Sequence, residues 1–141
     1  MNTVSTYQLA DIINLVSAKT GCDDVAGDSD IDSSLGCYGD DFHDLMDAYA
    51  KTFRVDMSGY LWYFHTGEEG NNIGGYFFKS PYERVKRISI TPDMLLEFAN
   101  KGNWALVYPA HTIPKRRYDM LINTMLVLLF VVFAVYYWFV N

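Results

Sequence analysis

MLINTMLVLLFVVFAVYYWFV, residues 120–140, runs for 21 positions without a charged side chain. A helix rises about 1.5 Å per residue, so this run covers a hydrocarbon layer about 30 Å thick. A helix that is apolar on every face has no side to present to water, which marks a bilayer span rather than a core helix of a soluble domain. Lys115, Arg116 and Arg117 stand immediately before it, and only Asn141 follows. Basic residues collect on the cytoplasmic side of a span, so the expectation is a tail-anchored, single-pass chain whose N-terminal part stays in the cytoplasm. Tyr136, Tyr137 and Trp138 suit the far interface, where amphipathic rings settle. Asn123 and Thr124 are expected near the lipid headgroups, with hydrogen bonding to a neighbouring membrane helix as the alternative.

Outward from the span, residues 110–119 read as a basic linker punctuated by Pro109 and Pro114. Residues 1–109 form one domain of about the usual size. Charge is unevenly spread along the chain. Up to Glu69 there are thirteen acids and three bases; from Gly70 onward there are four acids and eight bases. The acidic part repels phosphate backbones, which excludes nucleic acid as its partner. Cys22 and Cys37 are too few for a disulfide framework or a zinc site and read as reduced thiols. MNTVSTYQLADIINLV lacks a basic start followed by an apolar run, so no export signal is expected.

The domain reads as all-α. Leu9, Ile12, Ile13 and Val16 form one apolar stripe of a helix from near Thr6 to Lys19, stopped by Gly21. A loop rich in Asp, Ser and Gly follows, with Ile31 and Leu35 as its core anchors. Phe42, Leu45, Met46, Tyr49, Ala50 and Phe53 then repeat at helical spacing from an acidic start at Asp40 and Asp41, where carboxylates favourably meet the helix dipole. Asp47 and Lys51 are spaced for an ion pair. Ser58 is expected to cap a short helix carrying Tyr60 to Phe64. RVKRISI, residues 84–90, reads as either a short strand or an extended arm. Thr91-Pro92 starts a last helix, about 92–101, that ends before Gly102.

In residues 30–45, DIDSSLGCYGDDFHDL, the anchor Ile31, the Leu35-Gly36 pair, Asp41, Asp44-Leu45 and the later Phe53 follow the acyl-carrier-protein pattern without a gap. Residues 6–69 thus resemble an acyl carrier, which implies a small helical bundle. Carriers hold an Asp-Ser-Leu triplet where helix two begins, and its serine bears phosphopantetheine; the matching positions here are Tyr38, Gly39 and Asp40. The resemblance therefore implies no prosthetic group and no cofactor, since glycine offers nothing to modify. LGCYGDDFHDLMDAYAKTFRVD and the later ITPDMLLEFANKGNW also resemble a bacterial carrier-like family known only as domain of unknown function 1493. That likeness implies a bacterial protein and no established activity, though a membrane anchor is not typical of the family; with the span and its basic flank, the expected place is the bacterial inner membrane.

Asp28, Asp30 and Asp32 are similar to the opening of a calcium loop, but the sixth position is Ser33 and the twelfth Gly39, where such a loop needs Gly and Glu. His43, His65 and His111 lack metal-site spacing, so no metal is expected. No nucleophile elbow or phosphate loop is present, and no enzyme activity is expected. The candidate site is therefore an interaction surface: Asp40, Asp44 and Asp47 align on one helix face beside Asp41. In carriers the corresponding face docks basic enzyme patches. The leading reading is a membrane-tethered adaptor with a basic protein partner. Two rivals remain: an acyl carrier using Ser33 or Ser34, and a subunit of a membrane complex held through its span.

Overall fold

The computed structural model describes residues 6–141, and its first helix, α1, spans Leu9–Thr20. Asp11 in its first turn caps its start by accepting from the Gln8 N–H at 2.8 Å. Gly21 ends it at φ +72°, with its N–H returned to the Ser17 carbonyl at 2.8 Å. A glycine takes that left-handed conformation without a steric penalty. Helix α2 spans Asp40–Phe53 and α3 spans Pro92–Lys101. Thr91 caps α3 by accepting from the Met94 N–H, with Pro92 at the first helical position, as the sequence implies. The reading of the export signal falls partly on residues 1–5, outside the described residues.

Three single 3-10 turns lie between α2 and α3, at Trp62–Phe64, Ile73–Tyr76 and Pro81–Arg84. The aromatic helix expected from Ser58 is thus reduced to one turn that starts later. Ser58 caps nothing; its N–H bonds the Asp56 carboxylate at 2.9 Å. Consecutive bulky side chains cannot all share one helix face, and a single turn sends Phe64 inward while Trp62 and Tyr63 stay half-buried. Of residues 84–90, Arg84 closes the preceding turn and the rest are an arm rather than a strand. Ile88 N–H bonds the Phe64 carbonyl, and the Ile90 carbonyl accepts from Ile31 N–H at 3.0 Å. Because these bonds go to two separate segments, no ladder forms; among the described residues the sole β-type pairing is an isolated bridge between Asp56 and Asn103.

The core fills the space where α1, α2 and α3 meet, with Ile12 and Val16 facing Phe42, Leu45, Met46, Tyr49, Leu95 and Phe98. Ile31 is fully buried, which is what its reading as an anchor demanded. Each such side chain contributes about 1.5–3 kcal/mol by leaving water. Tyr49 also ties α2 to α3, its buried hydroxyl donating to the Leu95 carbonyl at 2.6 Å.

A second cluster joins the aromatic turn to the segment after α3. The Tyr108 hydroxyl accepts from Leu61 N–H at 3.1 Å and from Trp104 Nε1 at 2.9 Å, which leaves its proton for His65 Nε2 at 2.7 Å. His65 Nδ1 then donates to the Ile88 carbonyl at 2.9 Å, so the ring is neutral. Burial lowers its pKa from 6.5 to about 4, with nearby Arg87 acting in the same direction. A histidine whose folded pKa is depressed stabilises the fold above its unfolded pKa, and that contribution fades as pH falls from about 6.5 towards 4. Urea unfolding from pH 7 to 4 is expected to show a loss of about 3 kcal/mol from this residue. A His65→Gln variant, with no ring to protonate, should have a flatter profile over this range; an equally steep profile would reject the assignment.

Helix α4 spans Tyr118–Val140 and is long and apolar enough to cross a membrane. It begins two residues before the charge-free run, and the segment leading to it is not a loose tether. His111 stacks edge-on against Phe64 and bonds the Tyr63 hydroxyl through Nε2 at 2.9 Å.

Candidate functional site

Helix α2 buries Phe42, Leu45, Met46, Tyr49 and Phe53 and thereby turns Asp40, Asp44 and Asp47 outward. At about 100° per residue these three carboxylates lie within a narrow sector, with Asp41 at its edge. All four are exposed, and none is ion-paired among the described residues. The expected Asp47–Lys51 pair does not form. Both side chains are in water, where such a pair contributes only a few tenths of a kcal/mol, about what it costs to order them. Beneath the start of α2, Cys37 is buried, and desolvation together with the Asp41 and Asp32 charges pushes its thiol up to about 11. It is a packing residue, not a nucleophile.

The backbone at the head of α2 is unusual. Gly39 adopts φ +59°, ψ −126°, and its N–H bonds Thr66 Oγ1 at 3.0 Å. A Cβ at this position would lie 2.3 Å from Glu69 Cγ. The site therefore strains any side chain through its dihedral angles, and one would also have to push aside the exposed Glu69 side chain lying over it. Ser33 and Ser34 are exposed in the preceding turn, which the Asp30 carboxylate organises by accepting from the N–H groups of Asp32 and Ser33. That carboxylate is also held bidentately by Arg87, at 2.6 and 3.1 Å, which keeps it well below the usual carboxylate range.

Between the head of α2 and the foot of α4 lies a cleft of about 340 Å³, walled by Asp40, His43, Trp62, Glu68, Glu69 and Tyr82. Its carboxylates extend the negative field of α2 and suit it to a basic side chain.

The foot of α4 is clamped to the domain. Arg117 forks onto Glu68, with both contacts at 2.8 Å, and onto Asp119 at 2.6 and 2.9 Å. Asp119 is 2% exposed and also accepts from Asn72 Nδ2 at 2.9 Å and Ser80 Oγ at 3.2 Å. Asn123 accepts from Gly74 N–H and donates to Asn72 Oδ1, each at 2.8 Å. Lys115 and Arg116 are exposed, but Arg117 is committed to two carboxylates. Asn123 likewise bonds its own domain rather than headgroups or another helix, whereas Thr124 bonds back to Met120 within α4.

Of the predicted residues, the fold groups Asp40, Asp41, Asp44 and Asp47 on one surface and sets Lys115 and Arg116 apart beside α4. Glu68, Glu69, Asn72, Ser80 and Asp119 escaped sequence reasoning. A signal existed for Asp119 alone: a carboxylate at the head of an apolar helix needs a partner.

Residues 11–108 match the model of a family described as "Protein of unknown function (DUF1493)". No curated protein and no solved structure matches the chain.

Proposed function

The chain belongs to the DUF1493 family, and from that premise we propose that it is a membrane-tethered, non-catalytic adaptor whose acyl-carrier-like domain receives a basic protein partner on Asp40, Asp41, Asp44 and Asp47. The observation that carries this reading is Gly39. Where a carrier bears its modified serine, this backbone has a positive φ that strains any side chain, with Glu69 lying over it. What persists from a carrier is then its shape and its acidic helix. Four exposed carboxylates without internal cations support a surface kept for an external one. The apolar α4 supports a bilayer anchor. Exposed Lys115 and Arg116 support an N-terminal domain on the cytoplasmic side of a bacterial inner membrane.

Co-purification of the full chain in mild detergent identifies the partner, and reversing the four aspartates to lysine tests the surface. Affinity is expected to fall by about tenfold or more, and to weaken with salt in the parent, because exposed charges are screened over about 8–10 Å. Undiminished affinity after reversal rejects the acidic face. A pantetheine adduct on Ser33 or Ser34, found by intact mass after treatment with a phosphopantetheinyl transferase, would make the protein a carrier instead. Exchanging α4 beyond Met125 for an unrelated apolar helix leaves the clamp intact; loss of association then would place the contact in the membrane.

A further inference from the structure

The turn at Ile73–Tyr76 and the residues after it expose apolar side chains beside α4. Tyr76 is 89% exposed and Phe77 71%, with Ile73 and Phe78 also open. These residues are fixed at a definite height on the helix. Gly74 bonds Asn123, a Cβ on Gly74 would lie 2.0 Å from the Asp119 carbonyl oxygen, and the Phe78 ring meets Tyr118 at 5.4 Å. Asn123 lies little more than one turn into α4, so with α4 in a bilayer the turn sits at the boundary between headgroups and acyl chains.

Next to it is a groove of about 220 Å³ whose walls include Lys79, Arg84 and Arg116 together with Phe78, Ile113 and Pro114. Arg84 is steered by its Nε bond to the Lys79 carbonyl at 2.9 Å. None of the three cations is ion-paired among the described residues, and the one carboxylate on the wall, Asp119, is already matched by Arg117. A second groove shares Arg116 and Arg117 and continues down α4 past Met120, Leu121 and Thr124. Cations at the upper end and an apolar track below them are the two halves of a phospholipid site.

We propose that the 73–78 turn and this groove make a second membrane contact, in which Ile73, Tyr76 and Phe77 enter the interfacial layer beside α4 while Lys79, Arg84 and Arg116 hold the phosphate of an anionic phospholipid. The proposal rests on α4 being the anchor and adds a lipid preference and an immersed surface to it. Aromatic rings settle at this depth, and basic residues near an anionic leaflet draw its headgroups.

The full chain in vesicles provides the test. Phe77→Trp introduces an indole whose emission, taken as the difference from the parent, is expected to be quenched by lipids brominated high on their acyl chains. Trp138 near the far end of α4 is the control, isolated by comparison with Trp138→Phe. Quenching of Trp138 without quenching of the introduced indole overturns the proposal and leaves the anchor standing; if neither is quenched, the anchor reading has failed and the proposal falls with it. In the same vesicles, spin-labelled phosphatidylglycerol should associate about fivefold more than phosphatidylcholine, the scale of one basic residue near a charged leaflet. The Lys79→Gln, Arg84→Gln, Arg116→Gln triple variant should reduce that ratio to near one. Parity in the parent, or an unchanged ratio in the triple variant, overturns the headgroup assignment.

Discussion

Replacing Gly39 with serine is expected to destabilise the domain by about 2 kcal/mol rather than to create a carrier. A side chain at positive φ costs about 1–3 kcal/mol. The added Cβ must also displace Glu69, whose Cγ would be 2.3 Å away, but that side chain is exposed and can swing aside at little cost. Strain here reaches the first turn of α2, because the Gly39 carbonyl accepts from His43 N–H at 3.1 Å. Urea unfolding of the full chain in one fixed detergent measures the loss. In a Glu69→Ala background the conformational cost should remain, so Gly39→Ser should then cost about the same. Equal stability of parent and Gly39→Ser would show that the backbone can relax, and would remove the principal support for an unmodifiable site.

Arg117→Ala is expected to release α4 from the domain, with a cost of about 3–5 kcal/mol, because it strands Asp119 as a buried charge without its cation. Deuterium uptake should rise over residues 68–80 and the first turn of α4, while α1, α2 and α3 keep their protection. Lysine should not rescue the contact, since one ammonium cannot fork onto two carboxylates as a guanidinium does. Asp119→Asn placed on top of Arg117→Ala should recover much of the loss by removing the stranded charge. Gly74→Ala should give the same local exchange pattern through sterics alone, because its methyl would meet backbone that cannot swing aside. Unchanged uptake in both single variants would show that the clamp contributes nothing to docking.

Period and punctuation made the helices legible. The stripe of Phe42, Leu45, Met46, Tyr49 and Phe53 is buried as its spacing requires, and Gly21, Gly102 and Thr91-Pro92 stop and start the chain where the residue types demand. Charge along α2 also carried over, because a helix with one buried face leaves only one orientation for the other. Pairings across long stretches of sequence did not. Arg117 reads as flanking charge until Glu68, 49 residues earlier, is brought beside it. Asn123 reads as an interfacial polar residue until Gly74 presents its N–H. Nothing local encodes such meetings, since they depend on how loops of 3-10 turns close over the bundle. The Trp62–Phe64 turn reads as a longer helix for a related reason: aromatic density indicates burial without fixing a period.

The Arg117–Asp119–Asn72 clamp has a consequence for how the protein would search for a binding partner. A flexible tether of the ten residues 110–119 would let its domain wander about 15–20 Å and tumble through every orientation. A domain bolted to its stalk instead sweeps only by rotating about the membrane normal, and it offers its carboxylates at one altitude. Under the proposed adaptor function, local encounter frequency would thereby be concentrated on proteins whose basic patch stands at that same height above the lipid, and forfeited for all others.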